Sequence, residues 1–292
     1  MRINYVSSKS YCWESYSPQR LTFEEMKKRN NIQIKWFNDI DSALKYPCDM
    51  IWLMGSNVIP TVKQNAQAIF VSFAMSDPAC FRQVKFDNCS IYCTNSLEIF
   101  KKFKDNKKNK HVVYYDTSCN PDFQRDLNLK KETDIIVIAT GKHPYVQDRI
   151  ETVRRLRDDG FKIKVFGDKW NEHTDNHPFV TGEELIKELN KAHLMLDLTN
   201  SKAAHGRKIL ESSCCGTPVV TQKREEIENW FKEDEEIIYY KGYGDLLFTL
   251  LSFLSNKDSL REIGLKAREK CLTHHTTKNR IDKLLGDLNL CV

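Results

Sequence analysis

HGRKILESSCCGTP, residues 205–218, is the stretch on which the reading of this chain turns. Gly206 opens a helical run that carries Arg207 and Lys208 in its first turn and Glu211 four residues after Arg207. A Cys-Gly-Thr-Pro stop then feeds the apolar pair Val219-Val220. A helix start presents unpaired N–H groups and the positive end of the dipole, which suits a phosphate. Two neighbouring cations add charge-assisted contacts. Residues four apart share a helix face, so Arg207 and Glu211 can address one ligand. Phosphate at the tip and hydroxyls further along would describe a nucleotide with its ribose. An ordinary surface helix with basic residues is the other reading of the segment taken alone.

The helix lies within a regular alternation. Strand-like runs at 2–7, 32–37, 49–55, 68–74, 90–95 and 111–116 are interleaved with helical composition at 22–31 and 96–105. A polar connector without apolar periodicity follows at 117–134, and a second series begins at 135–141. It runs through a helix at 148–160, a strand at 162–168, a helix at 182–192 and a strand at 193–199. The helix 206–215 then leads to strands at 218–222 and 235–240, two amphipathic helices over 242–275 and a last one from 276. Strand–helix alternation argues for parallel α/β layers, here in two consecutive units, with ligands outside the carboxyl ends of the strands.

Composition bounds the possibilities. The 292 residues are 40% apolar and 29% charged, with 11 Gly and 8 Pro. That suits a globular chain of two ordinary domains. No apolar run approaches the roughly 18–20 residues that span a bilayer, and the first residues lack the apolar core of a signal peptide. A cytoplasmic protein is expected. The ten cysteines are too sparse for a disulfide scaffold, and Cys48, Cys89, Cys93, Cys214 and Cys215 read as packing thiols. With no CxxC pair, and with His173 and His177 in a loop-like stretch, no metal site is expected. Net charge is +6 over residues 1–130 and −1 over 131–292, together the +5 of the chain. The run KKFKDNKKNK, 101–110, supplies most of the excess. It reads as a solvated helix end and loop, or as a face for an acidic acceptor or nucleic acid.

The second series resembles the nucleotide-sugar-dependent glycosyltransferases built from two Rossmann-like domains facing across a cleft, the GT-B architecture. Within the group-1 type it is most similar to the spore-maturation-like branch. The matching pieces occur in order: ATGK ending at Lys142, Arg149 opening a helix, KVFGDKW, GRKILESSCCGTPVV, EEIENWF, EEIIYY, REIGLKAREK and HHTTKNRIDKLL. The resemblance implies an acceptor domain over 1–130 and a donor domain over 131–275. A final helix, 276–292, crosses back to the first domain. It implies metal-independent transfer of a sugar, hexosyl or pentosyl, from a UDP- or GDP-sugar to an acceptor hydroxyl, with no tightly bound cofactor.

Site residues follow from the same resemblance. Gly141, Lys142 and Arg149 match donor-phosphate positions, Gly206 and Arg207 the helix-tip contact, and Glu211 the carboxylate that accepts from the ribose. Fixed cations there would stabilise charge building on the leaving nucleoside diphosphate. Lys208 adds a second cation, and His205 touches a phosphate or sugar hydroxyl, or else caps the helix. Asp77, in MSDP after a buried strand, is the candidate base for the acceptor hydroxyl, with helix capping before Pro78 as its structural alternative. Tyr11, Trp13 and Tyr16 lie in the loop after the first strand, as an acceptor-side stacking surface or a packed loop. The family usually has two glutamates eight positions apart; Glu211 is the second, and Ala203 stands at the first. That departure leaves the stereochemistry open. It also leaves open a nucleotide-sugar-binding protein without transfer activity, while the lysine run 101–110 and the aromatic loop leave open an enzyme of phage type that glycosylates modified DNA bases. The acceptor is thus a glycan, a small molecule or modified DNA.

Overall fold

The computed structural model describes residues 1–7, 17–54, 69–74, 91–104, 112–139, 146–167, 170, 176–199 and 206–288 of the chain. Its chain divides into two compact units, one from Met1–Ser118 with Thr277–Val292 and one from Cys119–Lys202 with Gly206–Thr276.

The first unit is a parallel sheet in the order β2-β1-β3-β4-β5-β6. Its strands are β1 (Arg2–Val6), β2 (Gln33–Phe37), β3 (Met50–Met54), β4 (Ile69–Ala74), β5 (Ile91–Thr94) and β6 (Val112–Tyr114). The helices described here are α1 (Pro18–Lys27), α2 (Ile40–Leu44) and α3 (Leu97–Lys104), to which the chain end adds α10 (Thr277–Asp287). Helix α1 starts ahead of the expected 22–31. Ser17 accepts the Arg20 N–H, and Pro18, whose missing donor costs nothing in a first turn, occupies the next position. Strand β3 is buried along its whole length, so it reads as a continuous apolar run rather than an alternating one. Ile281, Leu284 and Leu285 of α10 join Ile3, Tyr5, Phe23, Met26 and Trp52 in one core. Two ion pairs tie α10 down: Asp282 to Arg29 at 2.6 Å, and Arg280 to the buried Asp116 at 3.3 Å.

The second unit has the order β12-β11-β10-β7-β8-β9, again all parallel. Its strands are β7 (Thr133–Ile138), β8 (Ile163–Phe166), β9 (Asn176–His177), β10 (Ala192–Asp197), β11 (Val219–Gln222) and β12 (Ile238–Tyr240). Its helices are α4 (Val146–Asp158), α5 (Gly182–Lys191), α6 (Arg207–Cys214), α7 (Glu225–Glu228), α8 (Gly242–Ser255) and α9 (Lys257–His274). The two-residue β9 falls in a stretch expected to be loop; nothing in two polar residues signals a strand. Side chains alternate across β7. Ile135 and Val137 pack under α4 and α8, and Ile136 and Ile138 under α5, α6 and α9. Helices therefore cover both faces, as parallel sheets require. The unit begins ahead of residue 131, because Cys119, Phe123 and Leu127 of the polar connector pack into its core. Cys214 and Cys215 are buried and outside any disulfide, as are Cys93, Cys119 and Cys271.

Two glycines mark where backbone geometry sets the fold. Gly216 stops α6 at φ +75°, a conformation open to glycine without a Cβ penalty. Gly264 lets α9 seat on that stop, since a Cβ there would stand 2.3 Å from the Gly216 carbonyl oxygen and 2.9 Å from Pro218 Cδ. Gly264→Ala should therefore lower unfolding stability by about 1–3 kcal/mol, the range for overpacking, in urea denaturation. An unchanged midpoint would mean that α9 does not rest on this contact.

Candidate donor-binding site

The residues of interest gather where the second sheet reverses its winding. The helix after β7, α4, lies on one face, and the helix after β10, α6, on the other. Between two neighbouring strands whose helices part in this way, the carboxyl ends border an open crevice, the usual ligand position in such sheets. Two cations cross that point in opposite directions. Arg149, from the helix after β7, donates through Nε to the Leu198 carbonyl beyond β10, at 2.8 Å. Lys208, from the helix after β10, donates its ammonium to the Ile138 carbonyl at the end of β7. Each helix is thereby strapped to the other's strand.

Glycine and tryptophan shape the floor. Trp170 donates its indole N–H to the Ala139 carbonyl at 2.7 Å, and Gly167, at φ +152°, lies so near that a Cβ would sit 1.7 Å from the same oxygen. Gly206 has a comparable reason to be glycine. A Cβ would stand 2.3 Å from Trp230 Cζ3 and 2.7 Å from Ile227 Cδ1. It opens α6 and has no side chain with which to cap it, and a helix start suits an anion. Glu211 is buried, at 6% exposure, and accepts from Arg207 Nε at 2.8 Å. The two residues expected to address one ligand thus also hold one another. Beside Arg149 a hollow of ≈ 150 Å³ opens among Arg149, Leu198, Gln222, Tyr240 and Tyr243, below the size of a whole nucleotide site.

Electrostatics sets the character of the cluster. Burial pulls the Lys208 ammonium below the usual lysine value, while Asp197 and then Glu211 oppose the shift and Arg149 and Arg207 reinforce it. Burial likewise lowers Arg149, against the pull of Asp197. Asp197 was not among the expected residues. At 8% exposure it accepts from Thr199 Oγ1 at 2.5 Å, Thr221 Oγ1 at 2.9 Å and Arg224 Nη2 at 2.6 Å. The signal for it was present in the sequence: a carboxylate in the otherwise apolar run HLMLDL needs a buried partner. Nothing local in the sequence shows that Arg224 is that partner.

Arg149, Gly206, Arg207, Lys208 and Glu211 are thus on one edge of one unit. Asp77, Gly141, Lys142, His205, Tyr11, Trp13 and Tyr16 lie outside the described residues, as do His173 and residues 105–110 of the lysine run. Among the described residues no cluster of three or more metal-ligating side chains forms, and no helix is long and apolar enough to cross a membrane.

Because the folded value of Lys208 is lowered from 10.5, the unfolded chain binds that proton more tightly. The group's contribution to ligand-free stability should therefore rise with pH from its lowered value up to 10.5. Denaturation between neutral and alkaline pH should show this rise in the wild type and a flatter curve in Lys208→Met. Parallel curves would mean that the ammonium is not held in a desolvated place.

Comparison with known proteins follows this geometry. The family pattern described as glycosyl transferase-like matches residues 147–286, from the first turn of α4 to the end of α10. No curated protein matches at the level of sequence. Sucrose-phosphate synthase from Thermosynechococcus elongatus superimposes with a TM-score of 0.74 at 12% identity, over 100% of both chains. HepE of Anabaena, solved in complex with UDP, gives a TM-score of 0.67 at 11% identity, over 99% of this chain and 100% of its own. An α-glucosyltransferase solved in complex with UDP gives 0.66 at 11%, with the same coverage. At such identities the likeness is one of fold. The chain has the two-Rossmann GT-B fold of these glycosyltransferases, and its segment 147–286 matches the glycosyl transferase-like family pattern.

Proposed function

We propose that this protein transfers a sugar from a nucleoside-diphosphate sugar to an acceptor hydroxyl, with the second unit holding the donor. The observation that carries the reading is the reciprocal strapping of Arg149 and Lys208 across the switch point, beside the uncapped start of α6 and the Arg207–Glu211 pair. Pyrophosphate there meets fixed cations and free amides. Glu211, buried beside Arg207, accepts from ribose hydroxyls. Lys142 and Gly141 follow β7 in sequence and complete the phosphate contacts, with His205 one residue before the helix tip. Two of the similar folds were solved with UDP, which makes a UDP-sugar the first donor to test and a GDP-sugar the second. The Arg207 helix start supports the spore-maturation-like branch, which resembles this chain in having Arg there and in lacking the first glutamate, where Ala203 stands.

The chemistry asks for stabilised charge on the departing phosphate. The acceptor oxygen bonds to the anomeric carbon as its proton passes to a base. The bond from that carbon to the phosphate oxygen breaks, and the nucleoside diphosphate leaves with the electron pair. Arg149, Lys208 and the α6 amides are already oriented when that charge develops, so no reorganisation is needed at that moment. No resident metal is required by this arrangement. Asp77 is the proposed base, and Tyr11, Trp13 and Tyr16 the acceptor side, on the first unit.

UDP should raise the melting temperature, since a ligand at 100 times its Kd adds about 2.7 kcal/mol to the native state. Absence of any shift or calorimetric heat with UDP-, GDP-, ADP- and CMP-sugars would refute the reading. Glu211→Gln should weaken UDP binding by about 1.5–3 kcal/mol, the range for a hydrogen bond to a charged group. Asp77→Asn should bind UDP as the wild type does and lose turnover; unchanged product formation would remove Asp77 from catalysis. Wild-type protein that binds donor without turnover on any acceptor would instead be a nucleotide-sugar-binding protein.

A further inference from the structure

Apart from Arg149 and the Leu198 carbonyl that it holds, the residues around the ≈ 150 Å³ hollow have no part in the donor contacts proposed above. The hollow lies on the face of the second sheet that α4 and α8 cover, opposite α6. Three strand ends bound it: Leu198 just past β10, Gln222 closing β11 and Tyr240 closing β12. Tyr240 is only 5% exposed. Its hydroxyl has no partner among the described residues, yet it is not sealed in the core as the hydroxyl of Tyr239 is. Burial, and after it Asp197, pushes this phenol up against the pull of Arg224, so the hydroxyl keeps its proton and can donate. The Gln222 amide and the Asp148 carboxylate border the same space, and neither bonds another described residue. Leu198 and Leu246 give the wall its apolar part. Tyr243 adds carbon only, because its hydroxyl is taken by Asp159 at 2.7 Å.

This lining narrows the chemistry of an occupant. A hydrocarbon would strip water from the phenol, the amide and the carboxylate and return no hydrogen bond. An anion would meet Asp148, and an organic cation would meet Arg149. A neutral molecule with several hydroxyls answers every group. Its O–H groups donate to the carboxylate and to the amide oxygen, its oxygens accept from the Tyr240 hydroxyl and the amide N–H, and its C–H faces lie on leucine. The volume suits one such ring and falls short of a nucleotide. We propose that this hollow is a site for a single neutral pyranose, held through its hydroxyls by Asp148, Gln222 and Tyr240. The ring comes either from a free sugar or from the sugar of a nucleotide donor whose pyrophosphate rests against Arg149. Only the second source rests on the donor-site reading above.

The test is calorimetric titration of the full chain with D-glucose, D-galactose, D-mannose and N-acetyl-D-glucosamine, each alone and beside saturating UDP. UDP-glucose, UDP-galactose and UDP-N-acetylglucosamine are titrated against UDP itself. At least one free sugar should bind with a Kd on the order of millimolar, as expected for so small a ligand, or at least one UDP-sugar should bind more tightly than UDP. Tyr240→Phe keeps the ring and removes the hydroxyl. It should weaken that sugar binding, or the gain of UDP-sugar over UDP, by about 2- to 12-fold, and Asp148→Asn by about 10- to 100-fold. Gln222→Ala should act in the same direction. A free sugar that binds beside UDP and beside UDP-sugar alike occupies the hollow independently of the donor. One that UDP-sugar displaces and UDP does not marks the hollow as the seat of the donor's own sugar. Absence of sugar binding in both forms, or sugar binding that all three variants leave unchanged, would overturn the inference. So would variants that weaken UDP as much as UDP-sugar, which would give the hollow to the nucleoside. If Tyr240→Phe does not fold, Asp148→Asn and Gln222→Ala decide, since neither side chain belongs to the core. If the wild type binds no UDP, the donor reading fails separately and the free sugars decide this one.

Discussion

Adjacent parallel strands whose following helices leave to opposite faces cannot both have their carboxyl ends covered. At β7 and β10 this constraint exposes a row of carbonyls and polar termini that must find partners. The chain answers with long cations. Lys208 on the Ile138 carbonyl and Arg149 on the Leu198 carbonyl satisfy the strand ends and, in doing so, place two positive charges at the mouth of the crevice. Much of the remaining local structure serves this arrangement. Gly167 and Trp170 crowd onto Ala139 so that β7 ends where Lys208 can reach it. Gly206 tucks against Trp230 and Ile227 so that α6 begins close to the sheet.

The cost of this solution is electrostatic. Cations held by neutral carbonyls in a desolvated place repel one another, and carboxylates must be brought in to offset them. Glu211 and Asp197 do this from α6 and β10, each buried and each with a cationic partner. A buried ion pair such as Asp197–Arg224 is weak evidence of stability, because desolvating both ions roughly cancels their attraction. Asp197 stands in an otherwise apolar strand, where Thr199, Thr221 and Arg224 satisfy its carboxylate. Burial first, and then the neighbouring Arg149 and Arg207, lower the basicity of Lys208, against the pull of Asp197 and Glu211.

The first unit follows a simpler logic. Its strands carry one apolar core, which Ile281, Leu284 and Leu285 from the far end of the chain complete. Long-range closure of this kind makes the first unit depend on a segment that follows the whole of the second in sequence. The ion pairs of Arg29 with Asp282 and of Arg280 with Asp116 fix the orientation of the returning helix, while the apolar burial of its inner face supplies most of the free energy.

The alternation of strand and helix, the parallel layers, the glycine stop at 216 and the shared face of Arg207 and Glu211 were legible in the sequence. Each depends on residues within one or two turns of each other: apolar periodicity, a positive-φ glycine, charges four positions apart on a helix. The early start of α1 was legible too, since Ser17 and Pro18 form a cap, but apolar composition further along drew the boundary inward. The sequence could not indicate that Asp197 and Arg224, 27 positions apart, form one buried pair. Nor could it show that Lys208 would cross to Ile138, 70 positions away, or that the polar stretch around Cys119 would enter the second core. These partners meet only when β7, β10 and β11 lie side by side. Local propensity writes the elements, whereas a buried charge is matched by whatever the sheet order brings within reach, and that order is a property of the folded chain.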